Sequence, residues 1–167
     1  MEQLRLNATL PLKVHNMAIT VAPSFLEAGA AFAALRADGY KGDVYTFNSL
    51  LHSAAQSAKA MDENPGEVGL TPRLRGILSL MKKEGIRPDT VTFNVLIAAC
   101  VRGRQDRAAD LSSSGGSASQ AALTLFQDMA RRGIEPDGVT YGLLIRLLVQ
   151  EGDDDSAMSL YYDMISR

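Results

Sequence analysis

Cysteine occurs once in this chain, at Cys100, and histidine twice, at His15 and His52. An intramolecular disulfide is therefore excluded, and no Cys/His set stands at the spacing that a structural zinc site requires. Tryptophan is absent and aromatic residues make up 6% of the sequence. No apolar run approaches the roughly 18 residues of a membrane-spanning helix. The most apolar stretch, Leu143 to Val149, is broken by Arg146 and followed by Gln150 and Glu151. Neither sign of charge dominates: 17 Lys and Arg against 19 Asp and Glu leave a formal charge of -2. Without a global basic field there is no drive toward nonspecific nucleic-acid binding, so any such contact must be local. Glycine-rich phosphate loops and nucleophile elbows are missing too, and nothing else points to an enzyme. What is present is a foldable composition, with 46% hydrophobic and 22% charged residues in 167. That length suits one domain or a one-dimensional array.

The dominant positive feature is self-similarity. Three segments end alike: Gly39-Tyr40-Lys41-Gly42-Asp43, Gly85-Ile86-Arg87-Pro88-Asp89 and Gly133-Ile134-Glu135-Pro136-Asp137. Each is followed by a second shared string, opening with Thr46-Phe47-Asn48, Thr92-Phe93-Asn94 and Thr140-Tyr141-Gly142. Met129 and Met164 lie 35 residues apart, whereas Met81 and Met129 lie 48 apart, so the unit is near 35 residues and is interrupted in the middle copies.

Within one unit, Phe93, Leu96, Ile97 and Cys100 fall at i, i+3, i+4 and i+7, the apolar face of a first helix. Ala122, Leu125, Phe126 and Met129 repeat that spacing in a second helix, which Gly133 ends after the last-turn cations Arg131 and Arg132. Pro136 cannot continue a helix, and Asp137 is placed to cap the next. Neither helix buries its stripe alone, so neighbouring units must stack. The expected fold is all-α, a right-handed α-solenoid of seven or eight helices in stacked helix-turn-helix pairs. The chain reads as one repeat domain over 1–167, with units at about 9–43, 44–89, 90–137 and 138–167, the first shortened or degenerate. The extra residues of the middle units lie between first and second helices, roughly Met61 to Pro72 and Asp110 to Gln120. The second has a flexible-linker composition, so deleting Ser112 to Ser119 is expected to leave folding intact. Asp153, Asp154 and Asp155 read as cap and dipole residues of a helix at Ser156.

The Thr-aromatic-Asn start and the Gly-Ile-x-Pro-Asp end, in register, closely resemble the pentatricopeptide repeat. A tetratricopeptide array fits worse because its Trp-x2-Leu-Gly signature is missing. The resemblance covers Val44 to Arg167 well and the first 40 residues poorly. It implies binding of single-stranded RNA in a plastid or mitochondrion, in transcript processing, stability or translation, with one base read per repeat by two side chains. By that resemblance the base readers pair Asn48 with Asp89, Asn94 with Asp137 and Asn16 with Asp43, a uridine-leaning combination, with Val91, Val139 and Tyr45 flanking the bases. Arg102 takes the place of a late first-helix cation that meets phosphate, where the other units carry Gln56 and Gln150. Gly142 leaves the fourth unit without a reader. Asn94 falls at the margin of its apolar stripe, so its replacement is expected to alter stability little. No cofactor or metal is implied. The first 20 residues include Glu2 and lack the Ser/Arg-rich amphipathic pattern of a transit peptide, so the organellar assignment comes from the resemblance. The acidic balance, the few units and the two insertions favour an alternative: a structural scaffold subunit of a large organellar assembly, docking other proteins or a ribonucleoprotein through the solenoid.

Overall fold

A computed structural model describes residues 10–57, 71–105 and 118–166. Among these, eight helices form: α1 (Leu12–Val21), α2 (Phe25–Ala37), α3 (Val44–Ser57), α4 (Pro72–Lys83), α5 (Thr90–Gln105), α6 (Ala118–Arg131), α7 (Gly138–Glu151) and α8 (Asp154–Ser166). None is long and apolar enough to cross a membrane.

The helix ends follow from local chemistry. Gly39, Gly85 and Gly133 carry φ of 83°, 74° and 68°, a left-handed conformation that costs glycine nothing. After each, the chain doubles back through a Schellman turn: the amides of Tyr40, Ile86 and Ile134 donate to the carbonyls of Leu35, Met81 and Met129. At the next start, Asp137 caps α7 by accepting from the Thr140 amide at 2.8 Å, while its own amide donates to Thr140 Oγ1 at 3.1 Å. This reciprocal capping box recurs at Asp43 with Thr46 and at Asp89 with Thr92. Thr71 and Pro72 open α4 in the positions such residues favour.

The odd-numbered helices touch one another in series, α1 to α3 to α5 to α7, and each even-numbered helix packs on its odd partner. The result is the two-row stack of helical hairpins that the paired stripes predicted. Phe93, Leu96, Ile97 and Cys100 are all buried, as are Ala122 and Met129. Two apolar cores form. One joins Ile19, Leu35, Phe47, Leu51 and Met81, and the other joins Phe93, Ile97, Ala122, Met129 and Leu144. Leu96 lies in the first core although its neighbours along α5 lie in the second, so α5 belongs to both. Burying a side chain the size of Phe47 contributes about 1.5–3 kcal/mol.

Several boundaries differ from expectation. The first unit is short, as expected, with α1 of 10 residues, but it still closes as a hairpin, α1 being fixed to the end of α2 by His15, whose Nε2 lies 2.8 Å from Asp38 Oδ2. The second insertion stops sooner than its composition suggests. Ala118 to Gln120 already belong to α6, and Ala118 is 9% exposed in the second core. A deletion through Ser119 would therefore cut into packed helix. Likewise Pro72 belongs to α4, and α8 starts at Asp154, two residues before Ser156. The remainder of both insertions lies outside the described residues. On α8 only Ala157 is buried, and Tyr161 is 42% exposed.

Candidate nucleic-acid interface

Along the odd-numbered row, the positions assigned as readers come together with the acids that close their units. Asn48 Nδ2 donates to Asp89 Oδ1 at 3.0 Å, Asn94 Nδ2 to Asp137 Oδ1 at 3.0 Å, and Asn16 Nδ2 to Asp43 Oδ1 at 3.2 Å. The Asn16 pair, from the unit that matched the repeat pattern worst, is as complete as the others. A third residue joins each pair, and its role was missed in the sequence. The hydroxyls of Thr46, Thr92 and Thr140 donate to Asn16, Asn48 and Asn94 Oδ1 at 2.6, 2.7 and 2.7 Å. Each also lies 2.7 to 2.9 Å from the same Asp Oδ1. The signal was available: each closing Asp is followed three residues later by Thr, the spacing of a capping box.

These contacts set the electrostatics. Burial pushes the carboxyls of Asp43, Asp89 and Asp137 upward, but hydrogen bonds from the Thr amide, the Thr hydroxyl and the Asn amide outweigh it, and all three stay below the ordinary value of 3.8. They are anions at neutral pH, which fixes the amide orientation. A carboxylate only accepts, so the Asn nitrogen must face it and the Asn oxygen must face the hydroxyl. Asn94 is accordingly no free marginal residue. It links α5 to Asp137 and to Thr140 of α7, contacts that its place at the margin of the stripe does not announce.

Tyr45, Val91 and Val139, the flanking positions, are 53%, 53% and 59% exposed. Between Tyr45 and Val91 opens a cleft of about 450 Å³, lined by Asn48 and Asp89 together with Ser49, His52, Gln56 and Val95. At its rim the Thr20 hydroxyl lies 2.9 Å from Ser49 Oγ and 3.3 Å from Tyr45 Oη, tying α1 to α3. The Gln56 amide is hydrogen-bonded to the His52 ring. Each engaged amide keeps one N–H and one oxygen lone pair, enough to donate to and accept from the edge of a planar heterocycle.

Arg102 is less available than its position in the sequence suggests. Its Nε and Nη2 are shut off from solvent without a hydrogen-bond partner among the described residues, and burial lowers its pKa below the usual value. Gly142 leaves open space where the other units carry Asn. Cys100 is in the second core with its thiol pushed up to about 11 by burial, so it is no nucleophile at neutral pH. Among the described residues no cluster of His, Cys, Asp and Glu is arranged to hold a metal ion.

The pentatricopeptide repeat domain model matches residues 67–103 and 124–165. No curated protein matches the chain in sequence. Among solved structures the chain is similar to the pentatricopeptide repeat protein PPR10 in complex with an 18-nt psaJ RNA element, at TM-score 0.69 and 24% identity over 94% of this chain and 20% of that one. It is also similar to PPR10 from maize, at TM-score 0.60 and 25% identity over 84% of this chain and 17% of that one. A third likeness is to the PPR domain of Arabidopsis thaliana protein-only RNase P 1 in complex with tRNA, at TM-score 0.58 and 21% identity over 93% of this chain and 67% of that one. The chain thus spans about a fifth of the length of the PPR10 chain it matches.

Proposed function

Because this chain is a pentatricopeptide repeat protein, we propose that the odd-numbered row binds single-stranded RNA, one base at each Asn–Asp junction. The observation that carries this reading is the cleft at Asn48. The aromatic ring of Tyr45 and the aliphatic side chain of Val91 line the same cleft as the hydrogen-bonded amide of Asn48 and carboxylate of Asp89. Such a slot suits a flat base, with stacking on the walls and edge contacts below, each base contributing about 1–3 kcal/mol. Asn94 with Asp137 and Asn16 with Asp43 serve further bases, and Arg102 meets a phosphate once its side chain turns outward. The RNA-bound state of two similar proteins supports the same ligand class. Uridine is the preferred base, a plastid or mitochondrion the site of action, and transcript processing, stability or translation the process served.

A second reading, a scaffold subunit of a large organellar assembly, is favoured by one observation. Met158, Tyr161, Tyr162 and Ile165, at i, i+3, i+4 and i+7 along α8, are all exposed. Fluorescence anisotropy with U-rich and A-rich strands separates the two. Base reading requires that Asn48→Ala weaken the U-rich strand by about 1–3 kcal/mol and that Arg102→Ala weaken both strands alike. If the wild-type chain binds neither strand measurably, or both equally, the scaffold reading replaces it.

A further inference from the structure

The three threonine hydroxyls have no part in the base contacts described so far, yet each occupies the same place. Thr46, Thr92 and Thr140 belong to the unit after the Asn they touch, 30, 44 and 46 residues further along the chain. All three are completely buried. A capping box alone needs only the threonine and the aspartate. The further contact of 2.6 to 2.7 Å to the Asn oxygen serves no helix end.

Resting on the RNA reading above, we infer that these threonines are positioning residues for base identity: the carboxylate sets which way the Asn amide faces, and the hydroxyl of the following unit, donating to the amide oxygen, keeps it from turning away. The chemistry is a matter of donors and acceptors. An amide turned by 180° about its last bond exchanges its N–H for its oxygen and presents the opposite pattern to a base. Uracil and cytosine differ by that same exchange: uracil offers an N–H beside a carbonyl acceptor, whereas cytosine offers a ring acceptor beside an amino donor. An amide free to turn accepts either pyrimidine. One held between a carboxylate and a hydroxyl commits its remaining N–H and lone pair to a fixed arrangement. Each recognition element therefore spans two units, and the Thr belongs to it as much as the Asn and Asp do.

The test uses the full chain, with anisotropy competition between oligouridylate and oligocytidylate and circular dichroism to monitor the fold. Thr92→Val keeps the shape and removes the hydroxyl, and should shrink the ratio of the two affinities about tenfold. Thr92→Ser restores the hydroxyl and should restore the ratio. Should Thr92→Val not fold, Thr140→Val makes the same measurement at Asn94, where the junction is more exposed. A purely structural threonine would weaken both strands alike and leave the ratio unchanged, and that result overturns the inference while sparing the RNA reading. Loss of the ratio in Thr92→Ser as well overturns it on the same terms. A wild-type chain that binds neither strand overturns both, and one that binds them without preference overturns the inference alone.

Discussion

The junctions at Asn48 and Asn94 are built from the same three residues at nearly the same distances, yet they present different surfaces. Asn48 is 8% exposed and lines a cleft together with Ser49, His52 and Tyr45. Asn94 is half-buried on a face shared with Val91 and Val95, and its partner Asp137 is exposed. The hydrogen-bonded triad is thus a property of the stacking, reproduced wherever two units meet with Asn, Asp and Thr in place. The slot around it is set by side chains one turn away. The triad stays constant while the surface around it changes.

The comparison breaks most readily at the aspartates. Asp89→Ala removes a cap, an acceptor for the Asn48 amide and the partner of a buried hydroxyl, and should cost about 2–4 kcal/mol in urea unfolding. Asp137→Ala removes the same bonds where water can replace them, and about 1–2 kcal/mol is expected. Equal losses would show that burial does not distinguish the junctions. Acid should act on all three together. Their carboxyls lie below 3.8 when folded, so their contribution is fully present above that pH and is lost as pH falls through the folded values. Urea midpoints should stay flat from neutral pH to about 4 and drop below it, with a shallower drop in Asp89→Asn. Asn94→Ala leaves Thr140 Oγ1 and Asp137 without their amide partner and should cost about 1 kcal/mol, visible as a lowered thermal midpoint. Smallest, and opposite in sign, is Gly142→Ala. Nothing lies within 4 Å of the added carbon, and replacing a mid-helix glycine should stabilise by about 0.5–1 kcal/mol in the same assay.

Much of the architecture was legible because it is local. Gly39, Gly85 and Gly133 stop helices, Pro88 and Pro136 forbid their continuation, and the i, i+3, i+4 stripes mark which faces meet. The Asn–Asp pairs were legible only through resemblance, since nothing in the spacing of Asn48 and Asp89 brings residues 41 apart together. The threonine contact stayed hidden for the same reason: a hydroxyl that caps its own helix gives no sign of a second partner 44 residues earlier. Ala118 was misplaced because the Ser-Gly run passes into α6 without a Pro or an Asp to mark the change.

The division of α5 between two cores bears on how the molecule yields to force and heat. A stack whose units share only their borders can lose its terminal unit and keep the rest, melting by stages. Here the middle helix has Leu96 in one core and Phe93, Ile97 and Cys100 in the other, so neither half keeps a closed core once α5 departs. It joins the two cores, together with Leu125 of α6, which packs against both, so the two halves of the stack should yield together.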